Sequence, residues 1–421
     1  MIQRALYTLL LYVLLPLLPL RLAWRARKQP EYLQHVGERF GFYRANPTKP
    51  VIWLHAVSVG ETRAAAPLVK LFQARNPQYQ ILVTHMTPTG RAISSELWGD
   101  SVLRCYLPYD YPFAVRKFLR HFQPQLGILL ETELWPNLIA ICHNEDIPLA
   151  LVNARLSERS ARGYKRFPIL VGNALKTLAV IAAQTDADGD RLQSLFSGHV
   201  SVMGNLKFDN EVPALQIELG KQLRQQFGTD RPIWLAASTR DGEEALLLES
   251  LEKIQARDAL AVIVPRHPQR FDEVAELLKS HRIAFQRRSE NTMIKATTRV
   301  VLGDSMGEMF AYCAASDVAF IGGSLLPLGG QNLIEACAVG TPVLIGPHTF
   351  NFSEATEQAI SCGAARRVAN AADLATQIDQ LLADVNDRRA VAQAGLAFTA
   401  RHRGASARAY ALVSSLLHPR V

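Results

Sequence analysis

Short, continuous runs of apolar residues recur along the first half of the chain and alternate with segments of helical periodicity. The runs do not alternate between apolar and polar positions, as a strand with one solvated face would. This pattern is typical of parallel strands that helices cover on both faces. The predicted strands lie at residues 51–57, 81–85, 102–108, 126–131, 148–154, 179–184 and 199–204.

A polar stretch at residues 207–216 interrupts this rhythm, and a second series of apolar runs follows it. The two series predict an α/β protein with two doubly wound, Rossmann-like domains that are joined near residue 210. Open parallel sheets bind ligands at the carboxyl ends of their strands, so we expect functional residues there, in a cleft that both domains face. The second series predicts strands at residues 232–238, 260–266, 300–304, 318–323 and 342–347.

The amino terminus departs from this pattern with an uncharged apolar run at residues 5–20, which contains Pro16 and Pro19. The run is short for a spanning helix, and proline kinks or ends helices. A cleaved signal peptide is the alternative, but no small-residue cleavage site follows. We expect residues 1–28 to form a membrane anchor, spanning or monotopic, that leaves the rest of the chain on the cytoplasmic side. Its flanking cations are Arg4, Arg21, Arg25, Arg27 and Lys28.

Composition narrows the class of partner. The 421 residues include 46 Lys and Arg against 38 Asp and Glu, which gives a formal charge of +8. Such an excess suits nucleic acid, an anionic membrane or a phosphorylated substrate. No nucleic-acid-binding motif is present, which favours the last two. The five cysteines have no metal-ligand spacing, so we expect reduced thiols and no structural zinc. We also expect no catalytic metal ion and no cofactor.

An acid occupies the position after the first predicted strand, where many nucleotide-binding proteins have a phosphate-binding turn. Ser58 and Gly60 lead from that strand into Glu61 and the Ala-rich start of a helix. One interpretation is that Glu61 only complements the helix dipole, which would also lower its pKa. Alternatively, it is a functional base whose pKa a neighbouring acid raises again.

Two further acids follow the predicted strand at residues 126–131. Glu131 and Glu133 are two residues apart, so an extended segment places both side chains on one face. Trp135 and Pro136 then open the next helix. Acids at the end of a buried strand are costly unless they are paired or used. Of the two, Glu131 is the stronger candidate for a functional role.

Basic residues follow two of the predicted strands. Lys207, after the strand at 199–204, is either an ordinary solvated lysine or a cation for a phosphate or carboxylate. Arg266 follows Pro265 at the tip of another strand, where its planar fork can hold a phosphate or a base edge. His267 can serve there too, or it is simply packed in the turn.

Two loops in the second half suit a nucleotide. The amides of Met306, Gly307 and Glu308 can meet an anion or a base edge, although a helix cap by Asp304 or Ser305 explains that sequence nearly as well. The more specific loop lies within residues 322–347 and contains two glycine pairs, which let backbone approach a phosphate closely. Glu335, one turn into the following helix, can accept hydrogen bonds from ribose hydroxyls.

Two other motifs have weaker functional interpretations. Asp186 and Asp188 form a D-x-D pair of the kind that holds a metal ion in some sugar transferases, but their place at a helix start favours N-capping. Residues 37–41 (GERFG) lie between the anchor and the first strand. They either touch an acceptor or form a plain linker.

The motifs SVGE, ETELWPN, NARLS, GNLKFD, VPRHP, GDSMGE and GGxNxxE follow GERFG in this order. Together they resemble the 3-deoxy-D-manno-octulosonic acid (Kdo) transferases of lipopolysaccharide assembly, over nearly the whole chain. The resemblance implies a glycosyltransferase-B fold and CMP-Kdo as the donor. It also implies lipid IVA, the tetra-acylated lipid A precursor, as the acceptor at the cytoplasmic face of the inner membrane.

By position in these motifs, the resemblance implies Glu61 as the catalytic base and Glu131 and Lys207 as transition-state stabilisers. Glu61 would deprotonate the acceptor hydroxyl as it attacks the anomeric carbon, CMP would leave, and the anomeric centre would invert. Lys207 and Arg266 would offset charge on the departing phosphate and the sugar carboxylate. The implied CMP-binding residues are Pro265, Arg266, Met306, Gly307, Glu308, Asn332, Leu333, Ile334 and Glu335.

In this interpretation, an acceptor domain at residues 29–209 follows the anchor, and a CMP-sugar-binding domain with C-terminal helices occupies residues 210–421. Two alternatives remain. A nucleotide-sugar epimerase on the same fold would share the nucleotide loop, but the anchor and its basic flank argue against it. A membrane-tethered sugar-nucleotide sensor without turnover would not need acids at two separate strand ends.

Overall fold

The computed structural model describes residues 2–27 and 29–417. It divides into two compact units, each built on a parallel sheet with flanking helices. The first unit runs to Asn210 and includes the chain again from His402, and the second unit is Glu211–Arg401.

The sheet of the first unit has seven strands among the described residues. They are β1 (Val51–His55), β2 (Gln80–His85), β3 (Leu103–Tyr106), β4 (Pro124–Leu130), β5 (Leu149–Ala154), β6 (Val180–Ala183) and β7 (Ser201–Val202). Their order is β3-β2-β1-β4-β5-β6-β7, and every neighbouring pair is parallel. The strand order reverses between β1 and β4, so the carboxyl ends of these two strands mark the usual ligand position.

The sheet of the second unit also has seven strands within the described part of the chain. They are β8 (Ile233–Thr239), β9 (Leu260–Pro265), β10 (Phe285–Arg287), β11 (Val300–Leu302), β12 (Val318–Ile321), β13 (Val343–Ile345) and β14 (Ala365–Arg367). Their order is β10-β11-β9-β8-β12-β13-β14, again parallel throughout, and it reverses between β8 and β12. All predicted strands are confirmed, whereas β10 and β14 were not predicted.

Helices pack on both faces of the first sheet because neighbouring residues of its buried strands point to opposite sides. Trp53 lies in one apolar cluster with Phe118, and Leu54 lies in another with Phe72.

The described residues of the two units together form the helices α1 (Ile2–Leu14), α2 (Leu17–Ala26), α3 (Val59–Arg75), α4 (Pro88–Trp98), α5 (Pro112–Phe122), α6 (Pro136–Asn144), α7 (Glu158–Tyr164), α8 (Pro168–Thr177), α9 (Asp186–Gln193), α10 (Ala214–Phe227), α11 (Glu243–Lys253), α12 (Phe271–Ser280), α13 (Met309–Ala315), α14 (Ile334–Ala338), α15 (Ser353–Ser361), α16 (Ala371–Ala383), α17 (Val385–His402) and α18 (Ala405–Ser414).

The predicted anchor forms the two helices α1 and α2, with Pro16 at the break between them. Among the described residues, no single helix is long and apolar enough to cross a membrane. Helices α1 and α2 reach that length only together, and they are bent by 61° at the break. One side of α1 contacts the first unit, where the Tyr7 hydroxyl donates to Asp110. Lys28 of the predicted basic flank lies outside the described residues. The other side of the pair exposes Ile2, Leu6, Leu9, Leu10, Val13, Leu17, Leu20 and Trp24.

The last helix, α18, departs from the sequence prediction, which assigned the C-terminal helices to the second domain. It belongs to the first unit, because the Asp209 carboxylate accepts hydrogen bonds from the amides of Gly404 and Ser406 at its start. Its apolar side joins the cluster that contains Leu54. The final four residues of the predicted domain, 418–421, lie outside the described part of the chain.

Candidate active site

Glu61 lies in the first turn of α3, at the carboxyl end of β1. Its Oε2 accepts a hydrogen bond from the Val57 amide at 2.7 Å, and its Oε1 accepts one from the Ser58 hydroxyl at 3.0 Å. The helix-start role considered from the sequence therefore exists, since the carboxylate closes the turn that begins the helix. It does not account for the ionisation of the group.

The pKa of Glu61 is raised from 4.5 to about 8. Burial is the largest cause, the negative charge of Glu131 is the next, and Glu133 adds a smaller contribution. The two hydrogen bonds act in the opposite direction. The neighbouring acid expected from the sequence is thus present, although burial contributes more. A carboxylate with a pKa near the working pH is suited to accept a proton.

Glu131 follows β4 directly and has a backbone φ of 58°, in the left-handed region that non-glycine residues rarely adopt. Such a conformation costs about 1–2 kcal/mol. The Glu131 amide donates to the Val152 carbonyl at 3.1 Å, which fixes this turn to the next strand. The strained turn aims the side chain at Lys207, whose Nζ donates to Glu131 Oε1 at 3.4 Å.

The turn that carries Lys207 is a 3-10 helix, Leu206–Asp209. Its first amide donates to the Asn153 Oδ1 at 3.1 Å, and the Asn153 carbonyl accepts from Gln184. Asn153 itself is buried and has a φ of 56°, so a second strained residue at a strand end positions the lysine. Lys207 and Glu131 retain only 18% and 21% side-chain exposure, which strengthens their attraction relative to a surface pair.

Glu133 is held near the same strand ends. The Trp135 indole N–H donates to Glu133 Oε2 at 2.6 Å, and the Nε2 atom of His55 lies 4.0 Å from the same oxygen. Burial raises the pKa of Glu133, the Trp135 bond opposes this, and the charge of Glu131 adds to it. Burial lowers the pKa of His55 to about 3, so the imidazole is neutral. Glu61, Glu131, Glu133 and Lys207 therefore form one group, which we call the carboxylate cluster.

Arg266 lies in the second unit, at the carboxyl end of β9. Its amide donates to the Thr239 carbonyl at 3.0 Å, and Pro265 pairs with Thr239 in the sheet. Burial lowers the pKa of the adjacent His267, and the positive charges of Arg240, Arg266 and Arg270 lower it further. The tip after β9 is therefore a basic environment, as a phosphate-binding position requires.

The predicted amide loop after β11 is exposed. Met306 has 57% exposure, and Gly307 has a φ of 80°. The Glu308 side chain does not extend freely, since it accepts from the Ser305 hydroxyl at 2.6 Å and lies 3.3 Å from Arg288 Nε. The backbone of the loop, rather than the Glu308 carboxylate, is the part that remains accessible to a ligand.

The alternative interpretation of this loop, a helix cap by Asp304 or Ser305, is wrong. Helix α13 begins without a side-chain cap. The Asp304 carboxylate instead accepts from the amide and the hydroxyl of Ser289, at 2.8 and 2.7 Å. These residues shape the loop and do not begin the helix.

The glycine-rich loop after β12 is held by an acid that the sequence analysis missed. Glu243, at the start of α11, is fully buried and accepts from the amides of Gly323 at 2.6 Å, Ser324 at 3.0 Å and Leu325 at 3.1 Å. A side chain at Gly322 would meet the Ser238 carbonyl oxygen at 2.7 Å, so only glycine fits there. The loop is thus fixed at the strand-order reversal of the second sheet.

The residues after this loop differ in what they offer a ligand. Asn332 accepts from the Ile334 amide at 3.1 Å and donates to Glu335 Oε1 at 3.0 Å, so these two polar side chains form a connected pair at the start of α14. Leu333 and Ile334 are buried residues, with 0% and 3% exposure. Of the residues that the resemblance implies here, the polar pair Asn332 and Glu335 has the side chains suited to bind a nucleotide.

The D-x-D pair lies in the first turn of α9, where the sequence predicts a helix start, but the capping residue is the preceding Thr185. Thr185 caps α9 by accepting from the Asp188 amide at 3.1 Å. The Asp188 carboxylate accepts from the Leu156 amide at 2.9 Å and from Arg191. In the described ranges, no group of three or more His, Cys, Asp or Glu side chains is arranged to hold a metal ion.

The predicted site residues therefore fall into two groups, one in each unit. Glu61, Glu131 and Lys207 meet in the first unit, and the implied CMP-binding residues surround the carboxyl ends of β9, β11 and β12 in the second. The sequence analysis missed Glu243 as a loop anchor. Its only sequence signal is an acid pair that follows an Asp-Gly turn after β8.

Two family models match the chain, one in each unit. A family model described as "3-Deoxy-D-manno-octulosonic-acid transferase (kdotransferase)" matches residues 34–210, and one described as "Glycosyl transferases group 1" matches residues 245–397. A glycosyltransferase structure from Rickettsia africae superposes with a TM-score of 0.62 at 14% identity, and it covers 88% of this chain and 99% of its own. That likeness shows the shared fold of two parallel-sheet α/β domains.

Curated relatives are more specific. The 3-deoxy-D-manno-octulosonic acid transferase of Bordetella pertussis is 44% identical over 423 residues, which cover 96% of this chain and 97% of the relative. The enzyme of the same name from Haemophilus influenzae is 39% identical over 99% of this chain and 100% of its own. The chain therefore belongs to the 3-deoxy-D-manno-octulosonic acid transferase family and is a glycosyltransferase.

Proposed function

We propose that this enzyme transfers Kdo from CMP-Kdo to lipid IVA, with inversion at the anomeric carbon, in lipopolysaccharide core biosynthesis. The observation that carries the proposal is the carboxylate cluster at the strand-order reversal of the first sheet. It combines a buried acid whose pKa is raised to about 8 with an adjacent Glu–Lys pair. Family membership favours this function over the epimerase and the sensor considered from the sequence.

In this mechanism, Glu61 accepts the proton of the acceptor hydroxyl as its oxygen attacks the anomeric carbon. A single displacement from the face opposite the CMP group inverts that carbon. Lys207 and Glu131 hold each other at 3.4 Å, so the lysine needs little reorganisation to stabilise the charge that develops during transfer. The proton on Glu61 then passes to solvent, which restores the base.

The second unit binds the donor in this proposal, and the chain has the glycosyltransferase-B fold. Arg266 offsets negative charge on the departing CMP phosphate. The amides of the Met306–Glu308 loop contact the nucleotide, and the segment that contains Leu333 and Ile334 adjoins it. Glu335, steadied by Asn332 at 3.0 Å, accepts from the ribose hydroxyls. Because CMP leaves with a single phosphate, basic side chains can provide this stabilisation.

We also propose that α1 and α2 hold the enzyme at the cytoplasmic face of the inner membrane. These helices have an exposed apolar side, on which Leu9 and Trp24 are 60% and 65% exposed. This exposed surface supports the proposal. An amphipathic segment with basic neighbours is attracted both to the acyl region and to anionic headgroups. A membrane-bound enzyme would meet a lipid acceptor without extracting it into water.

Lys207→Met is expected to lower kcat by about 10²-fold, the effect of losing one preorganised electrostatic contact. Lys207→Arg should retain part of the activity because it keeps the positive charge. The measurement is kcat under saturating donor and acceptor. Lys221→Met is the matched control, since Lys221 is 68% exposed and pairs only at the surface with Glu218. Equal losses in both methionine variants would contradict a specific role for Lys207.

Transfer itself is tested with membranes that contain the full chain, CMP-Kdo generated in situ, and radiolabelled lipid IVA. Thin-layer chromatography should show a shifted lipid product, and the number of shifted bands gives the number of Kdo units added. The anomeric configuration of the product, determined by NMR, should be opposite to that of the donor. Absence of a product under these conditions, with donor turnover by hydrolysis alone, would contradict the proposed acceptor.

A further inference from the structure

Three arginines of the first unit lie near His85 and Tyr106, the last residues of β2 and β3. Arg39 comes from the GERFG segment, Arg91 from the first turn of α4, and Arg104 from β3; we call them the arginine cluster. Arg39 stacks on the Tyr106 ring with its guanidinium carbon 3.9 Å from the ring centroid, and that of Arg91 lies 5.2 Å from the same centroid. Burial lowers the pKa of Arg104, Asp100 opposes this, and the positive charge of Arg91 lowers it further.

The carboxylates near this cluster are already paired or exposed to solvent. Glu38 accepts from Arg91 Nη1 at 2.6 Å and from the Tyr106 amide at 2.8 Å. Arg39 donates to a backbone carbonyl, that of Met86, at 3.2 Å. Arg104 lies 4.0 Å from the carboxylate of Asp100, whose side chain is fully solvent-exposed. Among the described residues, three arginines thus face the enclosed carboxylate of Glu38 and the exposed one of Asp100, so positive charge is in excess.

Several nitrogens of the cluster are buried without a hydrogen-bond partner in the described part of the chain. They are Nε of Arg39 and both Nε and Nη2 of Arg104. Arg39 is only 1% exposed. Burial lowers the pKa of Arg104, and Asp100 offsets this only in part. Buried charged donors without protein partners are costly. Their presence here favours an anionic ligand that supplies the missing hydrogen-bond acceptors.

The position of the cluster connects it to Glu61. His85, the last residue of β2, lies between them: its Nδ1 is 2.9 Å from the Ala56 carbonyl and 3.5 Å from the hydroxyl of Thr62, the residue after Glu61. Burial lowers the pKa of His85 to about 4, and the charges of Arg91 and Arg104 contribute. His85 is therefore neutral and adds no charge to the cluster.

We propose that the arginine cluster binds a phosphate monoester carried by the acceptor, beside the hydroxyl that Glu61 deprotonates. The identity of the acceptor rests on the proposed function. A monoester has a charge of about −1.5 to −2 at neutral pH, which compensates the local excess of positive charge. Arginine forks also bind phosphate oxygens in pairs.

The test compares lipid IVA with the same lipid after a phosphatase has removed its phosphate groups. Equilibrium binding of each lipid to the full chain is measured in detergent micelles without donor, so the result does not require turnover. Wild type should bind the phosphorylated lipid about 10–100-fold more tightly, as expected for charge-assisted hydrogen bonds. Arg104→Gln should lose about tenfold for the phosphorylated lipid and nothing for the stripped one. This variant should fold, because it removes buried donors that lack partners.

Arg120→Gln is the matched control. It removes one positive charge from the same unit, but Arg120 is exposed in the last turn of α5, at the end of the sheet where β4 begins. The inference is overturned if wild type binds both lipids equally, or if Arg104→Gln weakens both to the same degree. It is also overturned if phosphatidylglycerol micelles without lipid IVA compete as well as the phosphorylated lipid. If binding behaves as expected but no Kdo is transferred, the proposed function is wrong, whereas the phosphate-binding role of the arginine cluster is still supported.

Discussion

Glu61→Gln is expected to lower kcat for Kdo transfer by about 10²–10⁴-fold, the usual contribution of a general base. The amide is nearly isosteric with the carboxylate and can still accept from the Val57 amide, which the carboxylate holds at 2.7 Å in the wild type. The start of α3 should therefore stay intact. Because the implied CMP-binding residues lie in the second unit, CMP affinity measured by calorimetry should not change.

The control for this variant is Glu96→Gln. Glu96 belongs to the same unit, but its side chain is 63% exposed and lies 3.7 Å from Arg63 at the surface. It should keep wild-type kcat. If Glu61→Gln retained wild-type turnover, Glu61 would be only the acid that closes the turn into α3. Glu131 would then be the candidate base.

Glu243→Ala should destabilise the second unit by about 3–5 kcal/mol and abolish CMP binding. The truncation leaves the amides of Gly323, Ser324 and Leu325 without the acceptor that holds them at 2.6 to 3.1 Å. Each buried donor left unpaired costs about 1–3 kcal/mol. The glycine-rich loop would lose its fixed position. Urea unfolding gives the stability, and calorimetry gives the CMP affinity.

Glu249→Ala is the matched control for this second variant. Glu249 lies on the same helix, is 49% exposed and pairs only with Lys253. A surface change of this kind should alter stability by less than about 0.5 kcal/mol. Glu243→Gln should lie between the two, since one oxygen can still accept hydrogen bonds. Wild-type CMP affinity in Glu243→Ala would contradict the anchoring role of this acid.

The strands could be predicted because their apolar runs are long and buried on both faces. The missed strands β10 and β14 are three residues long, lie at sheet edges and contain Arg287, Arg366 and Arg367. Short, charged edge strands have no apolar pattern to detect. The C-terminal helix was assigned to the wrong unit for a different reason. Its partner is Asp209, almost two hundred positions earlier in the chain, and such a contact leaves no local signal.

The candidate site could be predicted in part. Residue types after strands identified Glu61, Glu131 and Lys207 as candidates, and the structure brings them together. The φ of 58° at Glu131 and of 56° at Asn153 could not be predicted, because tertiary contacts impose them on residues that do not favour them. The arginine cluster was equally hidden, since its members come from three separate segments. From the sequence, the GERFG segment was as consistent with a linker as with a contact to the acceptor.

The most direct test of the role of Glu61 is the pH dependence of kcat/KM for the acceptor, measured at saturating donor from about pH 6 to 9.5. Only the deprotonated carboxylate can accept the proton, and its pKa is raised to about 8, so activity should fall as the pH drops through this value. We expect a slope of one below the break and a plateau above it, with no such break in the residual activity of Glu61→Gln. A flat wild-type profile over this range, or a break that persists in Glu61→Gln, would contradict Glu61 as the base.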